Sequence, residues 1–356
     1  MSELADAPQP FDLAAHLRDA LGVDPELVAR AEAEGPEALR RLAQSVVLFG
    51  EPPSLTPPEV WQRAGASEEL GRRLWRAMGF ANLPDDAAVL TTLDVEALSA
   101  IEGFLRTSGI SADTAVRFAR LLGQSMGRVA DAMHSVVDQA LEEMEVLPPG
   151  ETEDVMVLAA ELVNPLIERE LSYLLRRHLY AGAVRRMAGV DLEQPELTVG
   201  FADVVSFTRL SGRLPESHLN ELIESFEATT ADLITERGGR VVKLIGDAVL
   251  FAFDDPRPAA ELALDLVEAF GGDQPDLRVG LACGPVLSRL GDLFGPPVNL
   301  ASRLVSYARP GTVLADEHLV AALGDLGDGR LTAKSLKPRE LKGIGSTPIF
   351  VLRRRP

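Results

Sequence analysis

The sequence predicts an α+β protein whose first half is all helical and whose second half mixes strands and helices. Three observations point there. Up to about residue 187, apolar side chains recur at helical spacing and several runs stop at glycine. At residues 188–196, AGVDLEQPE, the character of the chain changes. Beyond that point, short β-branched and aromatic runs alternate with helical stretches. A chain of 356 residues is long enough for two cores. The expected domains are therefore 1–187 and 195–356.

In the first half, FDLAAHLRDALG places Phe11, Leu13, Leu17 and Leu21 near one helical face and ends at Gly22. GPEALRRLAQSVVLFG, EELGRRLWRAMGF and VEALSAIEGFLRTSG follow the same logic. Residues 111–147 open on a capping serine and hold helical spacing for many turns. PPGETED (148–154) is expected to break the chain, and a long linker helix is expected over 155–187, with Pro165 as a kink or restart. Residues 55–80 read as two helices around a glycine turn. A DNA-reading role needs net positive charge there. Arg63, Arg72, Arg73 and Arg76 are instead offset by Glu59, Glu68, Glu69, Asp85 and Asp86, which favours packed regulatory helices.

In the second half, strands are expected at 197–203, 240–245, 248–253, 277–282 and 285–290 and near the end of the chain. Helices are expected at 215–236, 257–270 and about 297–307. Two helices on one face of a largely antiparallel sheet is close to a ferredoxin-like core. GGDQP (271–275) reads as a linker loop after a helix, whereas Gly246-Asp247 sits between two β-branched runs as a hairpin turn.

Charge and composition narrow the function classes. The net charge of −19 is uneven. Residues 1–195 hold 32 acidic and 17 basic residues, a net −15, and residues 196–356 carry −4. The first half repels nucleic acid and anionic membrane, because phosphate neutralisation needs clustered Lys and Arg. The apolar runs are all too short for a spanning helix, and the acidic start lacks the apolar core of a secretory signal. Cys283 is the sole cysteine, so no intramolecular disulfide framework exists and a reducing compartment is expected. These features lead us to expect a cytoplasmic protein with no nucleic-acid partner and no stable membrane insertion.

Three islands carry polar residues where apolar ones would be expected. TVGFADVVSFT (198–208) runs a strand into Asp203 and then a loop with Ser206 and Thr208. VVKLIGDAVLFAF (241–253) places Lys243 and Asp247 around a hairpin glycine. GDLFGPPVNLASRL (291–304) sets Asp292 before a Gly-Pro-Pro loop, then Asn299 and Arg303 four apart on one helical face. Two carboxylates at neighbouring strand ends suit Mg²⁺, which prefers few carboxylates plus substrate phosphate oxygens. A loop after a strand end offers backbone N–H groups to a triphosphate. Lys243 and Asp292 complement an adenine edge, which presents an N1 acceptor beside an N6 donor. Guanine in the same pose repels both. Asn299 and Arg303 can orient a ribose and neutralise charge on a phosphoryl group in flight.

Together the islands resemble the catalytic domain of class III nucleotidyl cyclases, from about residue 195 to 352, with Asp203, Lys243, Asp247, Asp292, Asn299 and Arg303 all on the adenylyl pattern. The resemblance implies an adenylyl cyclase turning ATP into 3′,5′-cyclic AMP and pyrophosphate. It assigns Asp203 and Asp247, with Val204, to two Mg²⁺ or Mn²⁺ ions. Lys243 and Asp292 read adenine, Ser206, Phe207 and Thr208 belong to the substrate loop, and Lys342 of ELKGIG adds a phosphate contact. Asn299 and Arg303 act on the transition state. In that family each site forms between two head-to-tail domains, so a homodimer with two shared sites is implied. The competing expectation is a catalytically silent ATP-binding sensor signalling through the helical half. That half resembles the regulatory domain of soluble actinobacterial adenylyl cyclases, which restrains catalysis and links it to pH. His16, His134, His178, His218 and His318 are the histidines available to such a response.

Overall fold

The computed structural model describes residues 11–143, 151–187, 195–272, 274–324 and 330–355. The chain divides into two compact units, residues 1–178 and 179–356. The first unit holds α1 (Leu13–Asp19), α2 (Pro25–Glu34), α3 (Pro36–Phe49), α4 (Pro57–Ala64), α5 (Glu68–Ala77), α6 (Thr92–Ser108) and α7 (Ala112–Glu143). Their boundaries follow from local chemistry. Asp12 accepts from the Ala15 N–H at 2.9 Å to cap α1, Thr56 and Glu59 form a capping box on α4, and Gly50, Gly65 and Gly109 end helices in the left-handed region. One core gathers Leu13, Leu17, Val28 and Val46, and a second gathers Val60, Trp61, Leu74, Leu90 and Leu98. α4 and α5 are the helix pair expected over 55–80, and two of their arginines, both on α5, are engaged by acids. Arg72 meets Glu68 and Asp85, and Arg73 meets Asp113.

α8 (Glu151–Met187) begins inside the expected PPGETED break. Residues 148–150 lie outside the described residues, but Glu151–Asp154 are helical. Only the prolines and glycine disfavour helix in that stretch, and the residues after them do not. Pro165 sits within the helix.

The second unit contains β1 (Glu196–Val204), α9 (Phe207–Ser211), α10 (Glu216–Glu236), β2 (Arg240–Ile245), β3 (Ala248–Phe253), α11 (Pro256–Ala269), β4 (Leu277–Pro285), β5 (Leu287–Arg289), β6 (Asp292–Phe294) and α12 (Pro296–Tyr307). β7 (Thr312–Ala315), α13 (Glu317–Ala322), β8 (Leu331–Ser335), β9 (Arg339–Leu341), β10 (Gly345–Thr347) and β11 (Phe350–Arg354) complete it. The seven-stranded sheet runs β2-β3-β1-β4-β7-β11-β8. Its first four strands, with α10 and α11, have the order and antiparallel pairing of a ferredoxin-like βαββαβ core. β7 joins β4 in parallel.

Each sheet face has its own core. Phe226 and Ile234 of α10 and Leu262 and Leu266 of α11 pack with Val249, Phe251, Val279 and Leu281. Ala301 and Val305 of α12 pack on the opposite face with Leu197, Val199, Phe201 and Leu250. The strand expected at 285–290 is divided. β4 ends at Pro285, and β5 and β6 form a separate hairpin turned at Leu290-Gly291. Both turn residues have positive φ, +51° and +80°, as a two-residue hairpin demands.

α12 lies directly on the backbone of β4. A Cβ on Gly280 would fall 2.4 Å from the Val305 nitrogen and 2.5 Å from the Ala301 oxygen. These are backbone atoms and cannot swing aside. Gly280→Ala is expected to push α12 off the sheet and cost about 1–3 kcal/mol, as overpacking typically does. Urea unfolding of the full chain measures this, and an unchanged midpoint would contradict the close approach.

Candidate active site

Cross-strand partners share a sheet face. Asp203 pairs with Ala248 on one side and Arg278 on the other, and Phe201 pairs with Leu250, which in turn pairs with Lys243. Asp203, Arg278 and Lys243 therefore share one face, the face on which α12 packs. The chemistry gathers on the side opposite α10 and α11.

Asp203 is the penultimate residue of β1 and Asp247 lies in the β2–β3 turn, with Gly246 before it at φ +60°. The Val204 N–H donates to the Asp247 carbonyl at 3.0 Å, which fastens the strand end to the turn. Burial pushes the Asp247 carboxyl above the ordinary carboxylate range. The neighbouring Asp203 charge adds to that, and Arg278 opposes it. Arg278 donates through Nε to Asp203 Oδ2 at 2.6 Å, and its Nη2 reaches the same oxygen. Lys243 Nζ donates to Asp292 Oδ2 at 2.5 Å, joining β2 to β6. The residues thus fall into two ready-made groups, Asp203/Asp247/Arg278 and Lys243/Asp292. The lysine that the sequence places in an apolar strand is half-buried, with Asp292 as its partner.

Asn299 and Arg303 are exposed on α12, and neither forms a side-chain hydrogen bond or ion pair among the described residues. Lys342 is exposed in the β9–β10 turn. Its neighbour Leu341 packs in one cluster with Leu304 of α12, and Tyr307 Oη donates to the Glu340 carbonyl at 3.2 Å, so that turn is anchored to the same helix. After β1, Ser206 stands at the N-cap of α9, Phe207 packs against the core, and Thr208 is exposed. Arg209 donates to Ser206 Oγ at 3.0 Å.

Among the described residues, Ser206 (φ +62°) and Leu290 (φ +51°) are the non-glycine residues with positive φ. One follows Asp203 by three positions and the other precedes Asp292 by two. Held strain of this kind costs about 1–3 kcal/mol and gathers where function demands a particular backbone. Arg278 is the site residue that the sequence reading missed. Its signal was a lone cation in the apolar run LRVGLA, visible only once the β1–β4 register sets it opposite Asp203.

The donor set suits a hard divalent cation. Two carboxylates, the Val204 backbone and no sulfur or imidazole match Mg²⁺ or Mn²⁺, which take few protein oxygens and leave places for phosphate. No cluster of three or more His, Cys, Asp or Glu able to hold a metal occurs among the described residues. No helix among the described residues is long and apolar enough to cross a membrane.

Two family models match the chain. The adenylate and guanylate cyclase catalytic domain covers residues 191–354, and the adenylate cyclase regulatory domain covers residues 22–180. An adenylate cyclase of Streptomyces coelicolor is 44% identical over 301 residues, spanning 83% of this chain and 78% of that one. An adenylate cyclase of Glutamicibacter nicotianae is 35% identical over 346 residues, 91% of this chain and 85% of that one. A pH-sensitive adenylate cyclase of Mycobacterium tuberculosis is 35% identical over 313 residues, 83% of this chain and 77% of that one. The chain belongs to the adenylate cyclases, as an enzyme that joins a class III catalytic domain to an adenylate cyclase regulatory domain.

Proposed function

We propose that this adenylate cyclase converts ATP to 3′,5′-cyclic AMP and pyrophosphate at sites shared by two copies of the chain, with two divalent ions at each. The observation that carries the reading is that Asp203, Arg278 and Lys243 share the sheet face on which α12 packs, Asp203 grouped with Asp247 and Arg278 and Lys243 with Asp292, while Asn299 and Arg303 of α12 are unengaged among the described residues. One copy supplies the carboxylates, and the other supplies the adenine-reading pair and α12.

Asp203, Asp247 and the Val204 carbonyl would hold the metal. When bound, a divalent ion lowers the pKa of the ribose 3′-hydroxyl and offsets charge on the pyrophosphate. The chain's own groups do the rest. Lys243 donates to adenine N1 and Asp292 accepts from N6, in place of the bond that they make with each other. Asn299 orients the ribose, and Arg303 neutralises charge as the 3′-oxygen attacks the α-phosphorus. Ser206, Phe207 and Thr208 lie along the triphosphate, and Lys342 meets its far end.

Mixing Asp203→Ala with Lys243→Ala protein tests the shared site. Each alone is expected to be nearly inactive. The mixture should recover roughly a quarter of wild-type activity, since random two-fold pairing leaves one intact site in half of the dimers. No recovery would remove the shared-site reading.

Arg278 is the cation that holds Asp203 when no metal does. Arg278→Ala leaves two neighbouring carboxylates without that partner. The metal-free protein should melt about 2–4 °C lower, for a loss near 1 kcal/mol. Added Mn²⁺ should restore most of the difference. A loss of the same size with and without metal would oppose this role.

His16 of α1 lies 2.9 Å from Glu161 Oε2 of α8, and its ring packs on Phe11. The similarity to a pH-sensitive adenylate cyclase of M. tuberculosis supports regulation of this enzyme by pH.

A further inference from the structure

β1 ends at Val204 and α9 begins at Phe207, so Val205 and Ser206 alone turn the chain from strand to helix. The turn is pinned on both sides. The Val204 N–H donates to the Asp247 carbonyl at 3.0 Å, and the Val205 N–H donates to the Asp276 carbonyl at 2.9 Å. Beyond the turn, Phe207 packs against the core shared by α10, α11 and the sheet. Ser206 absorbs the change of direction and lies in the left-handed region, at φ +62° and ψ +25°. A residue at a helix N-cap ordinarily keeps an extended backbone and turns its side-chain oxygen onto the N–H groups of the first turn. Ser206 does neither. Its hydroxyl makes no capping bond and accepts instead from Arg209 Nη2 at 3.0 Å. Arg209 makes no ion pair among the described residues, so no carboxylate there draws its guanidinium away.

We propose that Arg209 is a positioning residue for the nucleotide: by holding the Ser206 hydroxyl, it keeps the turn after Asp203 in the backbone conformation that receives the triphosphate. This rests on the reading above of Asp203 as a metal ligand and of Ser206, Phe207 and Thr208 as the triphosphate loop. Glycine enters the left-handed region freely, whereas a residue with a Cβ is strained there. A serine in that place therefore needs a hold, and a donor three residues along supplies one by closing only a short loop of chain. Without the hold, Ser206 relaxes towards the ordinary regions. Val205 is tied on one side and Phe207 is packed on the other, so the relaxation falls on the backbone N–H groups between them. Arg209 then matters only while residue 206 carries a side chain. A guanidinium that gripped phosphate directly would matter whatever stood at 206.

Four variants of the full chain test this. Binding of 3′-deoxy-ATP, which lacks the attacking hydroxyl, is measured by calorimetry with Mg²⁺, and kcat/KM is measured with ATP. Arg209→Ala and Ser206→Ala each break the bond and leave a side chain at 206, and each should weaken both quantities about fivefold, the worth of one hydrogen bond. The two together should cost no more than either alone, because both remove the same contact. Arg209→Ala combined with Ser206→Gly should regain most of what Arg209→Ala lost, because glycine keeps the left-handed turn unaided. Both side chains are exposed, so the melting temperatures should stay at the wild-type value. A loss in Arg209→Ala with Ser206→Ala unaffected and no rescue by glycine overturns the proposal in favour of direct phosphate contact. A lowered melting temperature that glycine does not restore overturns it in favour of a general structural role. Variants indistinguishable from wild type overturn it and leave the site reading standing. Wild type that binds no 3′-deoxy-ATP sinks the site reading, and this proposal with it.

Discussion

β1 is hydrogen-bonded along both edges, to β3 and to β4, and the site hangs on that register. Side chains alternate along a strand, so a slip by one residue would send Asp203 to the face under α10 and α11 and away from Arg278 and Lys243. The alternation is locked by what it buries. Val199 and Phe201 must meet α12, and Ala202 and Val204 must meet the opposite core. Apolar packing on two faces therefore positions the carboxylate.

Around that strand the molecule manages charge by pairing it before a ligand arrives. Two carboxylates side by side in a partly buried place repel one another, and Arg278 offsets this from the neighbouring strand. Lys243 and Asp292 do the same for each other. Pre-pairing keeps desolvated ions from standing alone. A ligand that separates such pairs must offer matching groups, a form of selectivity. α12 is the contrast. Its close seat on Gly280 fixes the helix, while Asn299 and Arg303 stay unengaged among the described residues. Strain at Ser206 and Leu290 belongs with the same design, holding the loops beside Asp203 and Asp292 in conformations that side-chain-bearing residues avoid.

α8 carries apolar residues on more than one side. Val157 is buried, whereas Leu162, Leu166, Tyr173 and Tyr180 are exposed. The same helix meets α1 through the His16–Glu161 contact and runs on past residue 178, where the first compact unit ends.

Much was legible from residues alone. Helix ends were announced by glycines and caps, strands by β-branched runs, and the chemistry by cations and carboxylates misplaced among apolar neighbours, because each of these signals is local in the chain. The break expected at 148–154 failed at Glu151, where α8 already begins, and the strand expected at 285–290 is shorter than expected, because β4 runs on to Pro285 and β5 spans Leu287–Arg289 before Leu290-Gly291 turns the chain. By itself the sequence determined which residues are out of place and that the fold is α+β. Only the tertiary structure decided that Arg278 answers Asp203 across 75 residues, that Lys243 answers Asp292 across 49, and that α8 has a face left uncovered. Those outcomes depend on strand register and on what packs against what, which is a sum over distant contacts and is written in no single segment.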